Sequence, residues 1–156
     1  MTETNKPKRA GGGEKEIRFF VPGEPKGKGR PRFTQKGHAY TPETTINYEN
    51  MIKTFYNWTG AGMLFAKHDP IRINVTAYFK EPVNVSKKRR KLMEAAVPNA
   101  LPLKKPDGDN ILKIIADALN GLAYYDDAQI VEWHFRKQYG ADPGVEVELS
   151  IIEGEP

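Results

Sequence analysis

The sequence has no cysteine. Disulfides and thiolate metal sites are therefore excluded, and the absence is neutral as to compartment. Histidine is scarce. His38, His68 and His134 show no ligand-like spacing, so neither a zinc site nor a serine or cysteine triad is supported. No apolar run is long enough to cross a bilayer, so no membrane partner is expected. The N-terminus is polar and lacks a signal-peptide apolar region, which makes the cytoplasm the expected compartment. No internal repeat is visible. What remains is 156 residues, 38% hydrophobic and 28% charged, enough for one soluble domain with an adequate core. The formal charge of +4 is a moderate basic excess, and its distribution matters more than its size.

Residues 1–15 are rich in Lys, Thr and Gly and read as a disordered tail. Ile17 to Val21 alternates well enough for a first strand, ended by Pro22-Gly23. Thr41-Pro42 reads as an N-cap followed by proline at the first helical position. The helix should run to about Trp58, with Tyr48, Ile52, Phe55 and Tyr56 facing the core. Ile71, Ile73, Val75, Ala77 and Phe79 alternate as a half-buried strand. Residues 129–139 and 145–151 alternate on either side of Asp142-Pro143-Gly144. The first run places Val131, Trp133, Phe135 and Tyr139 on one side, and the two together predict a C-terminal antiparallel hairpin. Strands and helices do not alternate regularly. The fold class expected is α+β, a single domain with a mostly antiparallel or mixed sheet packed against helices.

Two segments concentrate positive charge. Residues 25–32 read Pro-Lys-Gly-Lys-Gly-Arg-Pro-Arg, with no acid anywhere from 25 to 42. Glycine and proline exclude regular structure there, so Lys26, Lys28, Arg30 and Arg32 sit on a loop. A nucleotide-binding P-loop is rejected. Its glycine spacing is one short, Gly29 follows Lys28, and Pro31 blocks an immediate helix, so no nucleotide cofactor is expected. Ser86 reads as an N-cap followed by Lys87, Lys88, Arg89, Arg90 and Lys91. Cations in a first turn oppose the helix dipole. Folding gives no reason for them, whereas a phosphate backbone does. Lys104 and Lys105 add charge just before the most informative stretch.

That stretch is residues 104–127. Asp107 and Asp109 flank Gly108. A helix follows in which Ile111, Leu112, Ile114, Ile115, Ala118 and Leu119 cover most of the circumference. Asp109 is its expected N-cap and Asn120-Gly121 its stop. Asp109, Lys113 and Asp117 fall four apart and form one polar line. After the turn come Asp126 and Asp127. Carboxylates with a lysine and no thiol point to a hard cation such as Mg²⁺.

The pattern resembles the RusA family of Holliday-junction resolvases, found in bacteria and their prophages. The matching elements are Asp107-Gly-Asp109-Asn110, Lys113, Asp117-Ala-Leu119, Asp126-Asp127-Ala-Gln129 and the loop Pro25 to Arg32. The likeness covers about residues 17–152, within a domain taken as 16–153. By that resemblance the protein is an α+β homodimer in the cytoplasm of a bacterial or phage-infected cell. It would make paired, Mg²⁺-dependent incisions in four-way junction DNA, with Mn²⁺ as a substitute. The essential carboxylates map onto Asp107, Asp109 and Asp127, with Lys113 assisting, and Asp126 joins the metal set. Lys26, Lys28, Arg30, Arg32, Lys87, Lys88, Arg89, Arg90, Lys104 and Lys105 are the expected DNA contacts. Two rivals stay open. One is a nuclease of the Pro-Asp…(Asp/Glu)-x-Lys class, invited by Pro106-Asp107 but lacking a strand-borne second half. The other is a non-catalytic basic DNA-binding protein.

Overall fold

A computed structural model of the chain describes residues 15–154. The expected tail lies outside them except for Lys15, which already belongs to the fold. Its carbonyl accepts from the Ile151 N–H at 3.0 Å, and its ammonium pairs with Asp69 at 2.6 Å.

The elements run β1 (Glu16–Pro22), β2 (Arg32–Phe33), β3 (Ala39–Tyr40), α1 (Glu43–Asn57), β4 (Ile71–Lys80), α2 (Lys87–Glu94), α3 (Gly108–Leu119), β5 (Ile130–Gly140) and β6 (Gly144–Ile151). Single 3-10 turns lie at Pro98–Ala100 and Asp127–Gln129. The main sheet has four strands in the order β1-β6-β4-β5. β6 is antiparallel to both β1 and β4, and β5 is parallel to β4, so the fold is α+β with a mixed sheet. β2 and β3 form a separate two-stranded ribbon.

Alternation decides which sheet face is covered. Ile71, Ile73, Val75, Ala77 and Phe79 of β4 are buried, as are Val145, Val147 and Leu149 of β6. They meet Tyr48, Ile52 and Tyr56 of α1 and Ile111, Ile114, Ile115 and Leu119 of α3 in one core. The aromatics of α1 are thus core residues, as their spacing predicts. The opposite face carries Arg18, Arg72, Glu132 and Glu148, which pair across strands as Arg18–Glu148 and Arg72–Glu132.

The expected C-terminal hairpin is not formed. β5 and β6 are consecutive, yet β4 lies between them. Two strand spacings are about 10 Å, a gap that residues 141–143 can bridge. Alternation identifies a strand but not its neighbour. A second correction concerns β5. Its register against β4 shifts between Ile71 and Arg72, whose partners are Ile130 and Glu132, so Val131 drops out of the ladder. Val131 is 60% exposed and Trp133 43%, while Ile130 is buried and Phe135 and Tyr139 pack against the core.

Helix starts also move. α1 is capped by Pro42 rather than Thr41, without a side-chain bond. α3 is capped by Asp107, which places Asp109 in its first turn. Gly108 is the first residue of α3. A Cβ there would lie 2.7 Å from the Phe135 ring, so this glycine serves close packing of α3 on β5. Ser86 caps α2 as expected, accepting from Arg89 N–H at 3.1 Å.

Candidate active site and basic surface

The loop after β1 lies directly on the start of α3. Lys28 N–H donates to the Asn110 carbonyl at 2.9 Å, and Gly29 N–H donates to Thr45 Oγ1 at 3.1 Å. A Cβ on Gly27 would sit 2.9 Å from that of Asn110, so only glycine allows this approach. Lys26, Lys28, Lys105, Asp107 and Asn110 line a groove of about 470 Å³ where the two segments meet. Sequence distance separates these segments, and packing brings the basic loop beside the first aspartate.

Lys28 departs from its expected role. Its ammonium lies 2.6 Å from Glu49 on α1 and 3.0 Å from Asp117 on α3, and its side chain is only 24% exposed. Those bonds hold its pKa above the ordinary lysine value against the opposing effect of burial. The residue clamps the loop to both helices. Lys26, Arg30 and Arg32 remain exposed. Glu49 is not distinguished by its sequence pattern, being one of two acids on α1 with no motif around it.

The other basic residues divide similarly. Lys87, Lys88 and Arg89 are exposed at the start of α2, whereas Arg90 bonds Glu81 at 3.2 Å. Lys104 stands over the Phe79 ring at 5.3 Å, and its carbonyl accepts from Lys137 at 2.7 Å. Lys105 is exposed.

On α3 the polar line faces outward. Asp109 and Lys113 are exposed, and Asp117 is half-buried beside Lys28. The Asp126-Asp127-Ala-Gln129 segment is a capped 3-10 turn. Asp126 accepts from Ala128 N–H at 3.0 Å. Gln129 Oε1 accepts from the N–H groups of Tyr125 and Asp126, and its Nε2 donates to the carbonyls of Ala66 and Asp69 at 2.8 and 3.1 Å. Gln129 therefore holds the acidic pair in place, a role the motif alone does not disclose.

The two carboxyls of this turn perturb each other and shift in opposite directions. Burial, the bond from Asp126 and the charges of Asp126 and Asp117 push Asp127 up. The Ala128 N–H and the bond to Asp127 hold Asp126 down. The buried Tyr124 hydroxyl, which donates to the Ala116 carbonyl at 2.7 Å, is raised by burial and by Asp127, Asp117 and Asp126. Adjacent carboxylates, when ionised, concentrate negative charge on oxygen. That donor set suits a hard divalent cation. Asp127 thus sits near Asp117, while Asp107 and Asp109 lie at the other end of α3. Asp109 and Asp117 are about 12 Å apart along the axis. Among the described residues no three acidic or histidine side chains are gathered closely enough to hold a metal ion.

Comparison with known proteins decides the family. The family model for endodeoxyribonuclease RusA matches residues 22–150. The chain belongs to the RusA family. It is also 32% identical over 143 residues to the uncharacterized protein YqaN of Bacillus subtilis (strain 168), an alignment covering 87% of this chain and 96% of that one. Membership makes this chain one of a family of endodeoxyribonucleases. Among its described residues no helix is long and apolar enough to cross a membrane.

Proposed function

We propose that this RusA-family protein is a Mg²⁺-dependent endonuclease that resolves four-way DNA junctions by paired phosphodiester incisions, acting as a homodimer in the cytoplasm. The carrying observation is the family match together with a basic loop bonded to Asn110 and sharing a groove with Asp107. Asp107, Asp109 and Asp127 are the metal ligands in this reading, joined by Asp126. Bound there, Mg²⁺ (or Mn²⁺) would neutralise phosphate charge and lower the pKa of a water.

The remaining work falls to this chain's own side chains. Lys113 lies one turn beyond Asp109 and projects from the same exposed side of α3. Its ammonium is free to donate to the charge that develops on the phosphate oxygens. Lys26, Arg30 and Arg32, with Lys87, Lys88, Arg89 and Lys105, hold DNA arms through phosphates rather than bases. A near two-fold substrate suits two symmetric sites.

The separation along α3 adds one requirement. Among the described residues of one chain, no three of these carboxylates are gathered closely enough to hold a metal ion. In the homodimer, Asp127 of one copy completes the ligand set begun by Asp107 and Asp109 of the other. The test is complementation between inactive variants. Asp107→Asn and Asp127→Asn are each expected to bind junctions without cutting. Mixed and allowed to exchange subunits, they should regain Mg²⁺-dependent nicking, because one site per heterodimer keeps all its carboxylates. Cutting by either variant alone overturns the ligand assignment. A mixture that stays inactive despite demonstrated exchange places each site within one chain. A wild-type protein that binds junctions but cuts none in any divalent metal leaves a DNA-binding protein.

A further inference from the structure

Apart from Arg32, the β2–β3 ribbon is a part of the fold that the chemistry above does not use. Every residue from 30 to 41 is exposed. Ribbons of two strands are marginal alone, yet this one has a defined shape. Thr34 N–H donates to the His38 carbonyl and Gly37 N–H to the Thr34 carbonyl, both at 2.9 Å. His38 N–H donates to Thr34 Oγ1 at 3.1 Å, and Gly37 takes φ +81° to close the turn. The base is fixed on both sides. Gly29 bonds Thr45 ahead of β2, and Pro42 caps α1 just after β3. The result is a short arm standing off a rigid root.

Its side chains do not serve the core. Phe33 is 70% exposed and Tyr40 47%. Single exposed apolar residues are ordinary. Trp58, also exposed, at least rests on Phe55 with ring centroids 4.9 Å apart. Phe33 has no aromatic neighbour of that kind among the described residues. Arg32 stands opposite Tyr40 and Phe33 opposite Ala39, so the two aromatics project from opposite faces of the ribbon. Around them are Arg30, Arg32 and Lys36, none of which forms an ion pair among the described residues. No acid lies on the arm.

Unpaired cations interleaved with unpacked aromatic faces match one kind of occupant. A nucleic acid offers phosphates and exposed base faces together, and single-strand binders combine these same two elements. Continuous duplex hides its base faces, whereas a branch point or single strand presents them. We infer that the ribbon is a base-stacking arm. Phe33 stacks on a base left unstacked at a discontinuity in DNA, Tyr40 offers a second face, and Arg30, Arg32 and Lys36 hold the flanking phosphates. The inference rests on the reading that the protein handles branched DNA, and it assigns the recognition of the branch to this arm.

The experiment measures binding in EDTA, where no cutting occurs. The probes are a four-way junction, a single strand and a fully paired duplex, each also prepared with 2-aminopurine at the branch or an equivalent position. Phe33→Ala is expected to weaken junction and single-strand binding about tenfold and to leave duplex binding nearly unchanged. The salt dependence should not move, because no cation is lost. Wild-type protein should quench 2-aminopurine at the branch, Phe33→Ala should not, and Phe33→Trp should retain the effect. The side chain is solvent-exposed, so thermal melts of all three proteins should coincide. Equal weakening on all three probes, or none, overturns the inference. So does a Phe33→Ala variant that sediments as a smaller species with unaltered DNA affinity, since the arm then grips a second copy. Wild-type protein that stacks but never cuts with Mg²⁺ removes the nuclease reading and leaves the arm standing.

Discussion

Replacing Lys28 with methionine separates its structural role from a role in holding DNA. The substitution keeps the length of the side chain and removes the ammonium. Glu49 and Asp117 each lie within 3.0 Å of that ammonium, so their oxygens are less than about 6 Å apart. Two like charges at that distance repel by roughly 3 kcal/mol at an effective dielectric of about 20. Both carboxylates are partly exposed, at 19% and 31%, and water will screen a good part of this. A net loss of about 2 kcal/mol is expected, which lowers the melting temperature of a chain this size by about 4–8 °C. Adding Glu49→Gln to Lys28→Met should recover roughly half of that loss, since one of the two repelling charges is gone. Junction binding in EDTA is the second assay. Lys28 is already paired, so its loss should leave the slope of affinity against salt unchanged. Arg30→Met and Arg32→Met should each reduce that slope by about 1. The reasoning is refuted if Lys28→Met melts like wild type and lowers the slope as the two arginine variants do.

Four other outcomes are expected. Asp109→Asn should abolish cutting and leave junction binding intact or slightly tighter at low metal, measured by single-turnover cleavage and gel shift. Lys113→Ala should lower the single-turnover rate by about two to three orders of magnitude. Saturating Mg²⁺ should not restore it, and full restoration would remove Lys113 from the chemistry. Neutralising Lys88 and Arg89 should reduce the salt slope on every DNA shape while raising helix stability by a few tenths of a kcal/mol, because cations leave an N-terminal turn. Asp69 is held below the ordinary carboxyl range by the bond from Lys15 and by the Ala66 N–H. A depressed folded-state value means that its stabilisation is complete above the unfolded carboxyl range and is lost as pH falls through the folded value. Wild type should therefore melt above Asp69→Asn near neutral pH, with the difference closing as pH falls below the ordinary carboxyl range; a difference that persists in acid refutes this.

Local patterns carried most of the elements. The alternation of β4 and the three-four spacing in α1 and α3 predict both the elements and their buried faces, because each is a property of consecutive residues. The candidate site was readable as a pattern alone, since Asp107, Asp109, Lys113, Asp126 and Asp127 stand in a spaced motif. What the chain did with long-range pairing was not legible. The position of β4 between β5 and β6 depends on which edges are free when the strands meet. The capture of Lys28 depends on Glu49 and Asp117 arriving from two different helices. A lysine in a glycine-rich basic loop looks the same whether it faces phosphate or a pair of carboxylates. Likewise Gln129 reads as one polar residue of a turn, and only its reach to Ala66 and Asp69 reveals what it fixes.

The strand order has a consequence for how the protein comes into being. β1 pairs with β6 and with no other strand of the sheet. The first strand made is thus joined to the rest through the last. While the ribosome is still extending the chain short of Ile151, β1 can have no partner and one edge of β4 stays bare. The loop that carries Lys26 and the β2–β3 arm are rooted just beyond β1, so their placement waits too. Early release of the chain, even by the length of a single strand, would leave α1 and α3, which seat the basic loop, in the polypeptide but β1, from which that loop leaves, without its partner. The loop and the arm of this chain thus leave a strand that finds its only partner in the sheet when β6 closes it.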